Sequence, residues 1–244
     1  MDGNFRAAIA LSVSLVLSTI IGSSVFLKAK KLTQAVQVTG SAKTRIKSDL
    51  IVWNTSVTVE GVQLSDAYHR LDKNVESARA FLVSKGISAD QILTSAVQAT
   101  PIRKGKQPNS DQDSQVGQIT GYQLKQSLEI RSADVDKVGA VSRQVTELIN
   151  QGIFLESDAP QYLYTKLADT KIAILGAAAQ DALARAKQIA AATGSSVGEI
   201  RSADMGVLQI TPADSTDVSE EGVSDTTSLE KDITAVVHMT FALN

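Results

Sequence analysis

The sequence predicts an α+β fold: mainly antiparallel sheets with helices packed on one face, plus an N-terminal transmembrane helix. Three observations predict it. Several segments alternate apolar and polar residues, so their strands are apolar on one side only, whereas strands of a parallel sheet covered on both faces read as continuous apolar runs. Between them lie segments of helical period, in the order ββα, ββα, βα, ββ. Finally, residues 7–27 (AAIALSVSLVLSTIIGSSVFL) carry no charge, and 21 residues of helix cross a hydrocarbon core of about 30 Å.

That uncharged run makes residues 1–31 an N-terminal membrane anchor and 32–244 the body, with two subdomains divided near 133–152. A cleaved signal peptide is the competing reading, but its apolar core is usually about 7–15 residues long and ends at a small-x-small site. The best such site, Gly22 and Ser24, falls inside the run, so length favours an uncleaved anchor. Lys28, Lys30 and Lys31 follow the span and only Arg6 precedes it; taken alone, the positive-inside rule would put the body in the cytoplasm. Residues 1–31 hold four basic residues and one acid, which leaves 20 basic and 25 acidic residues in 32–244, a net of −5. A body of that sign lacks the basic footprint of general nucleic-acid binding. There is no cysteine, which removes disulfides, thiolate metal sites and thiol nucleophiles together.

Along the body, residues 32–48 read as a first strand. A second follows, with Ile51, Trp53, Thr55, Val57 and Val59 on one face and Asn54, Ser56, Thr58 and Glu60 on the other; Gly61 breaks it. From Ser65 to Lys85 the period becomes helical, with Tyr68, Leu71, Val75, Ala78 and Leu82 on one stripe and Gly86 as the stop. Residues 92–102 return to strand, and 103–117 form a polar loop of mixed charge, a solvated hairpin tip. Tyr122, Leu124, Leu128 and Ile130 form the apolar face of the next strand. Asp134 can cap a helix striped by Val138, Val141, Val145 and Leu148 and stopped at Gly152.

Residues 153–165 form a strand interrupted at Pro160, leading into an Ala-rich helix about 40 Å long over 167–194. Its apolar stripe runs Ile172, Leu175, Ala179, Ala182, Ala186, Ile189, and Gly194 supplies the left-handed stop. The Ala centre lets this helix sit close to whatever it packs on. Residues 197–211 are mostly extended, 213–230 form an acidic loop, and 231–244 are the last strand, with Ile233, Ala235, Val237, Met239, Phe241 and Leu243 inward.

Five segments together resemble the SIMPL domain family of bacterial exported proteins: Val36–Ala42 (VQVTGSA), Lys85–Ser95 (KGISADQILTS), Ile119–Gln123 (ITGYQ), Asp134–Gly139 (DVDKVG) and the Ala-rich helix through Gly194 and Gly198. The likeness runs in unbroken order over roughly 34–244. It implies a periplasmic, membrane-attached body, which outweighs the lysine count, and places the chain in the inner (cytoplasmic) membrane as a single-pass protein. It further implies self-association, since some relatives form ring-like homo-oligomers, and a link to envelope or oxidative stress. The family brings no assigned catalytic site.

Side-chain chemistry points the same way. His69 and His238 are far apart in sequence, each on a polar face, whereas a metal site needs several convergent donors. No H-E-x-x-H, G-x-S-x-G, P-loop or G-x-G-x-x-G run is present. The acids Asp214, Asp217, Glu220, Glu221, Asp225, Glu230 and Asp232 have only Lys231 as a neighbouring counter-charge and lack the ligand order of an EF-hand loop, so they read as a solvated loop with loose Ca²⁺ binding as the alternative. Asp111 and Asp113 read likewise. Trp53 reads as core, and Tyr162 and Tyr164 share a strand face as packing residues or as the lining of a groove. The expectation is therefore a non-enzymatic, self-assembling, membrane-anchored scaffold with homo-oligomer or envelope-protein partners and no catalytic, cofactor or metal residues. The alternative is a periplasmic module that binds a small ligand or metal in a pocket lined by the acidic loop or by Tyr162 and Tyr164.

Overall fold

The structure, a computed structural model, describes residues 12, 14–23, 34–104 and 117–244. Of the expected membrane span, residues 12 and 14–23 are helical and exposed; the rest of it lies outside the described residues. Among the described residues, no helix is long and apolar enough to cross a membrane.

The body is α+β and every strand pairing is antiparallel, apart from a single parallel bridge between Ile210 and Ser224. Two sheets each support their own core. The first joins the two ends of the body. Strand β1 (Ala35–Lys47) pairs along its whole length with β10 (Glu230–Leu243), from Ala35 opposite Ala242 to Lys47 opposite Glu230. The other edge of β10 carries β8 (Val197–Met205) and β9 (Gln209–Pro212). Helix α3 (Leu167–Ala192) lies across β1 and β10.

The second sheet comes from the middle of the chain. Strand β2 (Leu50–Gly61) pairs with β5 (Ile119–Ser132) on one side and with the short β6 (Leu155–Ser157) and β7 (Gln161–Leu163) on the other; β3 (Ile92–Thr94) and β4 (Gln98–Arg103) extend β5. Helices α1 (Leu64–Ser84) and α2 (Val135–Gln144), with the 3₁₀ segment Val145–Gln151, cover the face made by Ile51, Trp53, Val57 and Val59. From 133–152, Val135, Val138, Val141, Val145 and Leu148 pack in this second core, and the chain passes between the cores at 48–49 and between Tyr162 and Tyr164.

Local sequence accounts for most element ends. Asp134 accepts from the Lys137 amide at 3.2 Å and caps α2, leaving one fewer unpaired donor in its first turn. Gly86, Gly152 and Gly194 all have φ between 72° and 89°, and Ser195 N–H returns to Ala190 O at 2.8 Å, the left-handed closure that glycine permits. The expected strand over 92–102 breaks between β3 and β4, where the Ser95 hydroxyl accepts from the Ser127 amide at 3.0 Å. The helix expected to run to Gly152 tightens to 3₁₀ after Gln144.

Two helix faces differ from expectation for one reason. The buried row of α3 is Ile174, Ala178, Ala182, Ala186 and Ala190, while Ile172 and Ile189 are exposed. A Cβ built on Gly40 of β1 would lie 2.2 Å from Ala178 O and 2.7 Å from Ala182 Cβ. At so close an approach the helix presents its smallest residues, not its most hydrophobic ones, so the two isoleucines turn outward. In α1 the buried residue of the first turn is Ala67, and Tyr68 is exposed; a Cβ on Gly61 would lie 2.9 Å from Ala67 Cβ.

The contact at Gly40 gives a paired prediction. Gly40→Ala forces backbone apart and costs about 3 kcal/mol. Gly176→Ala, on the open side of the same helix with nothing within 4 Å of the new methyl, gains up to about 1 kcal/mol from helix propensity. Urea unfolding of both variants measures the difference.

Candidate functional site

Consecutive residues of a strand face opposite ways, and at the start of β10 both faces bury a charge. Lys231 and Asp232 are 2% and 1% exposed.

Asp232 lies on the face away from α3. The β1–β10 register sets Arg45 directly opposite it. Arg45 donates from Nε at 3.0 Å and from its terminal nitrogen at 3.2 Å, Lys43 donates at 2.8 Å, and the Asp214 amide donates at 2.9 Å. Arg45 also bonds the Asp214 carboxylate, and Asp214 takes a left-handed φ of 63°. Hydrogen bonds from Arg45 and then Lys43 hold the Asp232 carboxyl far below the usual carboxylate range, against the opposing effect of burial. The Asp232 bond, followed by that to Asp214, raises the Arg45 guanidinium above its ordinary value. Three donor groups engage both oxygens of this carboxylate, so this cluster clamps the end of the acidic loop to β1.

Lys231 lies on the α3 face, past the start of that helix. Its Nζ donates to Tyr162 O at 2.6 Å and to Asp225 O, with Asp225 Oδ2 at 3.9 Å. Burial pushes the Lys231 ammonium down, and Asp225 works against that shift. Burial acts upward on the Asp225 carboxyl, but bonds from the Thr227 hydroxyl and amide, and from Ser228, bring it below its ordinary value.

Beside this pair is a cavity of about 320 Å³, walled by Ile46, Leu50, Leu163, Leu167 and Ile210, by Tyr162 and Tyr164, and by Ser224, Asp225 and Thr226 of the acidic loop. It lies where the two cores meet. Asp49 ties its rim, accepting from Thr165 N–H at 2.7 Å and from the Thr165 hydroxyl at 2.8 Å. Tyr162 N–H donates to Thr226 O at 2.7 Å. A wider apolar groove of about 500 Å³ separates the start of α1 from β4, with Leu64, Tyr68, His69, Val97, Ala99 and Leu124 along it.

The structure separates the two histidines: His69 meets the edge of Tyr68, and His238 Nδ1 lies 3.0 Å from the Thr39 hydroxyl of its cross-strand partner. Asp111 and Asp113 lie outside the described residues, as does 105–116 of the expected loop. Trp53 is core, with Nε1 donating to the Ser157 hydroxyl at 3.1 Å. Among the described residues, no group of three or more His, Asp or Glu is placed to hold a metal.

The acidic stretch corrects the sequence reading. Lys231 is not its only counter-charge, and Asp225 and Asp232 are not solvated: Lys43 and Arg45, from the other end of the body, reach Asp232. Proximity in sequence cannot reveal a partner 187 residues away; only the register of β1 on β10 could have. Tyr162 and Tyr164 do share a cavity with part of the acidic loop.

Comparison with known proteins gives the family. A model of the SIMPL family, described as protein of unknown function (DUF541), matches residues 36–241. The chain therefore belongs to the SIMPL family. No curated protein matches it. A solved structure titled a hydantoinase/carbamoylase family amidase from Burkholderia ambifaria is similar at 16% identity and a TM-score of 0.25, over 46% of this chain; the match spans 28% of that structure's chain.

Asp232 carries a pH prediction. Its pKa is depressed in the folded state, so its stabilisation is complete above the unfolded value of about 3.9 and is lost as pH falls from there toward the folded value. Asp232→Asn should lower stability near neutral pH by about 2–3 kcal/mol and flatten the loss below about pH 4. Urea midpoints of both proteins across that range test this.

Proposed function

We propose that this SIMPL protein is a non-enzymatic scaffold that works by assembling with copies of itself and with envelope proteins. In this reading residues 7–27 hold it in the inner membrane, the body stands in the periplasm, and the assembly serves resistance to envelope or oxidative stress. The observation that carries the reading is β8. Among the described residues it pairs with β10 and with no further strand, and it exposes Ile200 (58%) and Met205 (66%). A strand edge that carries exposed apolar side chains is a template for another chain unless something covers it. The outward Ile172 and Ile189 of α3, on the same unit, add apolar area. The buried carboxylates are occupied by lysine and arginine, which supports a structural use for them. For the anchor, the support is the exposed helical run containing Leu15, Val16, Leu17, Ile20 and Ile21.

A second reading, a module that binds a small ligand, draws on the cavity at Lys231, where the acidic loop and both tyrosines converge.

Sedimentation of the full-length protein in detergent at micromolar concentration tests assembly. An oligomer is expected, reduced to monomer by Ile200→Lys with Met205→Lys; a wild-type monomer would end the proposal. For the placement of the body, protease added to intact spheroplasts is expected to cut between 103 and 117. Protection there would instead favour the orientation given by the lysine count.

A further inference from the structure

Lys231 has more donors than its protein partners use. An ammonium carries three N–H groups, and two are taken by Tyr162 O and Asp225 O. The nearest carboxylate oxygen, Asp225 Oδ2, is 3.9 Å away, beyond hydrogen-bond range. The side chain is 3% exposed and lines the cavity, so the third donor is available to whatever occupies that space.

The surroundings restrict what that occupant is. Asp225 already balances the lysine charge from within the same wall. An anion would bring a second negative charge beside the Asp225 carboxylate, and a cation would meet the ammonium. An uncharged acceptor takes the open N–H without either conflict. Ile46, Leu50, Leu163, Leu167, Ile210 and the two tyrosine rings make most of the remaining wall apolar, which suits an apolar body. A volume of about 320 Å³ is at the small end of ligand cavities, roughly 300–1,000 Å³, too small for a lipid.

We propose that the cavity between β7, the 224–226 loop and the start of α3 binds a small uncharged molecule with an apolar body and one hydrogen-bond acceptor, which takes the open donor of Lys231. This rests on the second reading above, that the protein binds a small ligand here.

The test uses three aromatic probes of similar size: acetophenone, ethylbenzene and benzoate. Each is added to the isotope-labelled full-length protein in detergent at matched free aqueous concentration, and the amide resonances of Tyr162, Ser224 and Thr226 are followed. Acetophenone is expected to move them, with ethylbenzene about tenfold weaker for want of the acceptor and benzoate weaker still. Lys231→Met should erase the advantage of acetophenone over ethylbenzene. Asp225→Asn, which leaves the lysine unbalanced, should improve benzoate. Ethylbenzene equal to acetophenone, or benzoate tightest on the wild type, would overturn the ligand class while leaving a binding cavity. No shift with any probe would overturn the small-ligand reading as well. The wild-type ranking decides the matter even if either variant fails to fold.

Discussion

The body is closed by one strand pair. Strands β1 and β10, the first and last of the fold, run antiparallel over the 13 residues of β1, and the first core cannot exist without both. Val36, Val38 and Ile46 supply one half of its sheet floor; Ile233, Ala235, Val237, Met239 and Phe241 supply the other. Helix α3 seats on that floor at Gly40, where the strand has no side chain. The Ser41 amide, on the edge of β1 away from β10, donates to Asp181 of the helix at 2.8 Å. That bond, with help from Arg185 and against the opposing effect of burial, sets the Asp181 carboxyl below its ordinary value. The same pairing thus fixes the floor, the height of the helix and the cover on an open edge.

Because β1 also leads directly into β2, the closure positions the second core. Only 48–49 separate strands belonging to different sheets, and those two residues are held by backbone bonds from Ser48 to Leu229 and from Asp49 to Leu163. Lys231 and Asp232 continue this logic at the level of side chains. One faces the junction and pins β7 to the acidic loop; the other faces away and pins that loop to β1. Period-two geometry gives two adjacent residues two separate tasks. An acidic segment that would otherwise repel itself becomes part of the wall of a cavity.

Much of this fold is legible in the sequence. One-sided strands, the Asp134 cap and the glycine stops follow from local rules, and the structure has them where the pattern puts them. What local rules miss is closeness between elements. Hydrophobicity alone selects Ile172 and Ile189 for the buried face of α3, yet contact with Gly40 selects the alanine row. Tyr68 yields to Ala67 against Gly61 in the same way. The ion cluster is hidden for a different reason. Lys43 and Arg45 look like the polar face of an ordinary strand, and Asp232 like the end of an acidic loop, until register sets one opposite the other. The family likeness is carried by five segments that are each weak alone, and their unbroken order makes it specific.

The strand edge at β8 and the cavity at Lys231 belong to a framework whose coherence depends on the two chain ends meeting. Native-state hydrogen exchange measures that dependence most directly. The amides of 36–46 that bond to β10 should exchange with the same opening free energy, and the same response to denaturant, as those of 233–241 and the buried row of α3, as one cooperative unit. If the β1 amides exchanged freely while β10 and α3 stayed protected, the closing strand would be dispensable and the account would be wrong.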